Sequence, residues 1–300
     1  MMTAQQTGAI RPRPQPLIRA PRVLLATDDS DTARAAEEWI RRLRWAQPPT
    51  IDVLTVAPPP PLASRLWLQT YRTAVREAVL QSREEDLLAA QRVANSVGSR
   101  LQKDGTVVRV WARQGSIPDE ILATSQLEGP DLVVMGRQSK SPHILARGSN
   151  IAEQVAKHAD AAVLIANRPP DGPGPLPRST LLVIPAGPAG EEALRWLQWA
   201  GWLQQTDLTV AWRGRPEGSG SDAPRRLALA AGVAHLSERE VPTEAGEWAG
   251  ELMDPEAFDL VVLPLSGSRS GDELRAATES RTTVLILPRG STRSANHAGT

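Results

Sequence analysis

The chain carries the same pattern twice, and that repeat limits its fold more than any other feature. Asp131-Leu132-Val133-Val134-Met135-Gly136 returns as Asp259-Leu260-Val261-Val262-Leu263-Pro264. Ala161-Ala162-Val163-Leu164-Ile165-Ala166 returns as Thr282-Thr283-Val284-Leu285-Ile286-Leu287. An internal repeat of about 120 residues accounts for both matches. In a chain of 300 residues it predicts two domains of one fold, each large enough to bury its own core.

Within each repeat, short apolar runs alternate with helical patterns. In the first, Arg22–Thr27, Ile51–Ala57, Thr106–Arg113, Asp131–Met135 and Ala161–Ala166 read as strands. Asp31–Ala46, Leu66–Lys103, Ile117–Leu127 and Ser149–His158 read as helices; Ala35, Trp39 and Leu43 share one face of the first. In the second, Leu181–Ile184, Asp207–Trp212, Arg239–Thr243, Leu260–Leu263 and Thr283–Leu287 are the expected strands. The expected helices are Leu194–Leu203, Arg225–Leu236, Glu247–Met253 and Asp272–Thr278. Apolar strands alternating with helices predict a parallel sheet covered on both faces, an α/β fold. Ligands on such sheets bind beyond the carboxyl ends of the strands, near a topological switch point.

Prolines and glycines mark the boundaries. Residues 1–20 form a Pro/Arg-rich extension expected to be disordered, and 169–178 a Pro/Gly linker. The repeats then occupy 21–168 and 179–290, and 291–300 form a tail expected to be disordered. Charge is balanced, with Lys+Arg 34 against Asp+Glu 34, so no strong field favours nucleic acid or a membrane surface. The chain has no cysteine, which excludes thiol catalysis and cysteine-ligated zinc and makes the cytoplasm the expected compartment. No apolar run approaches the roughly 20 residues needed to span a bilayer. The four histidines lack metal-ligand spacing, and no phosphate loop or nucleophile elbow is present.

One stretch points to chemistry. A strand ends at Met135, a loop with glycines at both ends runs from Gly136 to Gly148, and a helix starts at Ser149-Asn150. Glycine lets the backbone approach an anion, and the N–H groups of a first helical turn point at it. Ser149 also suits a simple helix cap. The nine tryptophans stand against one Tyr and one Phe. Trp196, Trp199 and Trp202 recur every three residues, the spacing of a core stripe on one helix. Trp67, after Pro58–Pro61, is a candidate contact residue.

Four features together resemble the universal stress protein family. Thr27-Asp28-Asp29-Ser30 follows a strand and enters a helix; Gly115-Ser116-Ile117-Pro118 turns into the next helix; Asp131–Gly136 resembles the fourth strand; and Gly148-Ser149 precedes a helix and a final strand. The likeness covers 22–167 well and 179–290 weakly. It implies two tandem doubly wound five-stranded, Rossmann-like domains packed as a pseudo-dimer through their last strands. It also implies an ATP site, with magnesium, in the first domain. Asp28 would contact the adenosine part and Val56 would offer backbone to the base. Gly136, Arg137, Ser139, Gly148, Ser149 and Asn150 would surround the phosphates.

The chain departs from the family in one place. Nucleotide-binding members carry a glycine, two residues, a second glycine, nine residues, then Gly-Ser. Here Ser139 replaces the middle glycine and eight residues separate it from Gly148. The second half departs further: Asp28 is matched near Ala186, and Gly136 by Pro264, which has no N–H. The expectation is a regulatory ATP-binding stress protein with a degenerate second domain, not a dedicated enzyme. The alternatives are a scaffold of the same fold that binds no nucleotide, and a small-molecule phosphohydrolase acting through Asp28/Asp29.

Overall fold

A computed structural model describes residues 19–59, 74–102, 105–137, 151–185, 189–213, 222–241, 257–265 and 271–288. The first half supplies strands β1 (Arg22–Ala26), β2 (Thr50–Ala57), β3 (Val107–Gln114), β4 (Leu132–Gly136) and β5 (Ala162–Ala166). Its helices are α1 (Asp31–Arg42), α2 (Ala74–Leu101), α3 (Ile117–Glu128) and α4 (Ile151–His158). The second half supplies β6 (Ser179–Ile184), β7 (Asp207–Arg213), β8 (Leu236–Val241), β9 (Leu260–Pro264) and β10 (Thr283–Leu287). Helices α5 (Ala189–Ala200), α6 (Asp222–Ala230) and α7 (Gly271–Glu279) complete the described elements.

All ten strands form one sheet in the order β3-β2-β1-β4-β5-β10-β9-β6-β7-β8. Pairing is parallel throughout each half. It is antiparallel only where β5 meets β10. The expected edge-to-edge meeting of the two last strands is therefore present. Leu164 lies opposite Leu285, its own counterpart in the repeat, so the two halves are related by a pseudo-twofold axis through that pair. The carboxyl ends of the two parallel halves consequently lie at opposite edges of the sheet.

Both faces of the sheet are covered, as near-continuous apolar strands require. On one face α1, α2, α5 and α6 pack a core that includes Trp39, Val97, Trp196, Leu197 and Ala228. On the other, α3, α4 and α7 contribute Ile121, Val155, Ala156, Leu274 and Ala277. The aspartates of the repeated motif have a structural role. Asp131 accepts from the Arg22 N–H at 2.9 Å, and Asp259 accepts from the Arg178 N–H at 2.8 Å, each fastening the start of the neighbouring strand.

The strand ladders fix which residues correspond. Val23 pairs with Leu132, and Thr180 with Leu260. Counting onward, Trp39 matches Trp196, Trp45 matches Trp202, and Val56 matches Arg213. Asp28 matches Pro185, one residue before the Ala186 expected from sequence. Thr50 pairs with Val107 whereas Leu208 pairs with Leu236, so the connection holding α2 is about twice the length of its partner.

Several expected boundaries move. Helix α1 stops at Arg42, because Leu43 turns to extended backbone (φ −61°, ψ 131°). The helix expected over Arg225–Leu236 stops at Ala230. Gly232 takes φ +81°, and Val233 donates back to the Ala228 carbonyl at 3.2 Å, a closure that frees Leu236 to begin β8. The tryptophan stripe is also broken: Trp196 and Trp199 lie on α5, but Trp202 follows Gly201 at φ +88°. Trp202 meets Trp45 edge to face across the two halves, with ring centroids 5.3 Å apart.

The linker lies against the body of the protein. Arg42 donates to the carbonyls of Gly174 (2.9 Å) and Pro170 (3.0 Å), and Leu176 N–H returns a bond to the Arg42 carbonyl. Of the extension expected at residues 1–20, Arg19 and Ala20 are described, and Arg19 pairs with Asp131 at 2.5 Å; residues 1–18 and the tail expected at 291–300 lie outside the described residues, as do Trp67 and the helix expected over Glu247–Met253.

Candidate functional site

Connections leave β1 toward β2 on one side and come back to β4 on the other, so the first half has its switch point between β1 and β4. Asp28 stands beyond the end of β1 at this point and is exposed. Within β1, Leu24 and Ala26 belong to the face carrying α3 and α4, and Asp28 follows two residues past the strand's end. Val56, near the end of β2, is half-buried on that same face. Asp28 and Val56, the two residues expected at the adenosine end, thus lie at the carboxyl ends of neighbouring strands.

The turn between β1 and α1 holds Asp28 there. Asp28 accepts the Ser30 N–H at 3.0 Å through one carboxylate oxygen. Ser30 caps α1, its hydroxyl accepting the Ala33 N–H. Between them Asp29 adopts φ +58°, a left-handed conformation that side chains other than Gly, Asn and Asp rarely accept. Its carboxylate is held by Arg34 at 3.3 Å and by Arg100, from the end of α2, at 2.7 Å. Arg100 also forks onto buried Glu37 of α1. Burial is the largest single influence on Asp29 and opposes ionisation. Together, hydrogen bonds and charge from Arg34 and Arg100 outweigh it and lower the pKa. The Arg100 guanidinium is correspondingly pushed up, above all by its hydrogen bonds to Glu37. Arg100 was not foreseen from sequence. It lies 71 residues from Asp29, and no local pattern links the two.

The two phosphate-side candidates that are described both have structural partners. A Cβ on Gly136 would lie 2.2 Å from the Thr32 carbonyl oxygen, so glycine is what lets the first turn of α1 rest on β4. The Arg137 N–H is donated to the Ala166 carbonyl at 2.9 Å, extending the β4–β5 ladder. Its counterpart Leu265 donates to Leu287 in the same way. Ser139, Gly148, Ser149 and Asn150 lie outside the described residues. Beside α1, Thr32, Arg34, Arg42, Asn167 and Pro170 line an open groove of about 580 Å³.

The residues present fit an adenosine group at one end. An exposed carboxylate is available to accept from a sugar hydroxyl, and a strand end beside it can offer backbone groups. Asp29, by contrast, has its carboxylate engaged by two arginines, which works against a reaction carried by the Asp28/Asp29 pair. Among the described residues no cluster of three or more His, Asp or Glu side chains could hold a metal, and no helix is long and apolar enough to cross a membrane.

Comparison with known proteins agrees with this architecture. The universal stress protein family model matches residues 20–167. A universal stress protein from Archaeoglobus fulgidus DSM 4304 superposes with a TM-score of 0.60 at 15% identity, covering 90% of this chain and 96% of the other. A functionally unknown protein from Pseudomonas aeruginosa PAO1 gives 0.52 at 15% identity, covering 93% and 97%. The cytoplasmic domain of a prokaryotic cation chloride cotransporter gives 0.52 at 12% identity, covering 89% and 95%. At these identities the likeness is one of fold. No curated protein matches the chain.

Proposed function

The chain carries a universal stress protein domain over residues 20–167, and from that premise we propose that its first half is a regulatory adenine-nucleotide-binding module. The observation that carries this reading is Asp28, presented to solvent at the β1/β4 switch point while its neighbour Asp29 is tied down. Asp28 would accept from an adenosine hydroxyl, and Val56 would offer backbone to the base. Gly136, Arg137, Ser139, Gly148, Ser149 and Asn150 would border the phosphates, with magnesium screening their charge. Binding and release of nucleotide, rather than turnover, would be the output, in a cytoplasmic stress response. The second half would serve as a packing partner.

Calorimetry with ATP and magnesium tests the reading. We expect one nucleotide per chain and weaker binding in Asp28→Ala. No heat at millimolar ATP, with the protein folded, would overturn it. A second reading, a scaffold that binds no nucleotide, draws support from the structural roles of Gly136 and Arg137. The same titration decides between the two.

A further inference from the structure

We propose that an internal ion pair, Arg213–Glu273, closes in the second half the crevice that the first half leaves open, so that the chain is built to take one ligand rather than two. Arg213 ends β7 at the place held by Val56 in the first half. Glu273 sits in the first turn of α7. Counting from the Leu164–Leu285 pair, its counterpart is Ala152, in the first turn of α4. A ligand running from Val56 to the start of α4 would pass over the end of β1. The Arg213–Glu273 bridge runs from β7 to the start of α7, over the end of β6, which is the counterpart of β1. Both side chains are largely buried, 11% and 16% exposed.

What lies under the bridge agrees. Pro185, at the end of β6, is buried, whereas its counterpart Asp28 is exposed. A ligand entering here would have to separate two buried, paired charges, leaving each uncompensated. The inference rests on the nucleotide reading only for where a ligand would lie in the first half.

The chain contains no cysteine, so one introduced thiol gives a clean signal. Asp28→Cys and Pro185→Cys place thiols at matched positions, and each is labelled with a small maleimide. We expect Pro185→Cys to react at least about tenfold more slowly than Asp28→Cys, because reaction there requires local opening. Adding Arg213→Val and Glu273→Ala, the residues of the first half, should remove most of that protection while a cooperative melt is retained. Equal rates in the two single-cysteine chains would overturn the proposal. So would protection that survives loss of the pair in folded protein. Should the combined variant fail to fold, Glu273→Gln in the Pro185→Cys chain decides, since it keeps the shape and removes the charge. Faster labelling supports the proposal, and an unchanged rate overturns it. Nucleotide is absent from the assay, so failure to bind ATP would leave these rates untouched.

Discussion

The two halves clamp their matched second strands, β2 and β7, at opposite ends. In the first, Asp52 is fully buried near the amino end of β2 and takes a two-pronged bond from Arg109 of β3, at 2.6 Å on both oxygens. The matching positions in the second half are Thr209 and Ser237, joined by one hydroxyl hydrogen bond of 2.8 Å. At the carboxyl end the assignment reverses: the first half has Val56 and exposed Asp28, the second has Arg213–Glu273 and buried Pro185. A doubly wound half needs its strands held in register, and this can be done at either end. In the first half, the end of β2 left without such a clamp is the one beside exposed Asp28.

The largest expected effect tests whether these are two halves of one unit. β10 is paired on both sides, so Val284→Pro should cost about 3 kcal/mol or more. The whole chain should then melt in one transition at lower temperature. Two separated calorimetric transitions would show that the comparison concerns independent domains. Next, Arg109→Ala takes both charged bonds from buried Asp52 and leaves it the Trp111 indole N–H, at 3.2 Å. Because the Arg109 side chain is partly exposed and water can reach the vacated place, a loss of about 1–3 kcal/mol in urea unfolding is expected there. Ser237→Ala, at the matching place, should cost about 1 kcal/mol or less, since a neutral hydrogen bond is lost at an exposed site. Similar losses would erase the contrast.

A comparable effect separates the two switch-point glycines. In the first half the space lies on the strand, under α1. In the second it lies on the helix, where a Cβ at Gly190 would come 2.5 Å from Ile184, while the strand position is Pro264. Gly136→Ala should cost about 1–3 kcal/mol by forcing α1 off β4. Pro264→Ala should change stability far less, again read from urea midpoints. The smallest effect is acid-dependent. Asp29 has a depressed pKa in the folded chain, so its contribution is fully present above the ordinary value of 3.8 and is lost as pH falls below it. Stability measured from neutral pH down to that range should fall more steeply for the natural chain than for Asp29→Asn. The matching Ala186 has no carboxylate and contributes nothing to this slope.

The central strands were legible because each is a short, almost wholly apolar run buried on both faces, whereas the edge strand β8, Leu-Ser-Glu-Arg-Glu-Val and largely exposed, begins three residues before the expected Arg239. The repeat made the seam legible too, since two similar last strands with apolar edges need a partner. The helix ends were not. Leu43 and Gly232 terminate helices through backbone dihedrals and a local carbonyl bond, and the apolar periodicity runs on past both. At the candidate site Asp28 could be named because a strand-to-helix turn marks it locally. Arg100 and Arg213 could not, because each acts on a residue brought near only by the fold, 71 and 60 positions away. Gly136 was noticed as a place of close approach, and sequence does not say that the backbone of Thr32 is what approaches.

The antiparallel β5–β10 seam, with Leu164 facing Leu285, is the geometry that two separate copies would use to pair about a twofold axis. In such a symmetric pair every substitution appears on both sides at once and must suit both. The 169–178 tether, pinned by Arg42, turns that meeting into an intramolecular one. Covalent joining therefore breaks the symmetry as well as raising the effective concentration. Each side can change alone, so Pro264, Arg213 and Glu273 could be acquired on one side while Gly136, Val56 and Ala152 were kept on the other.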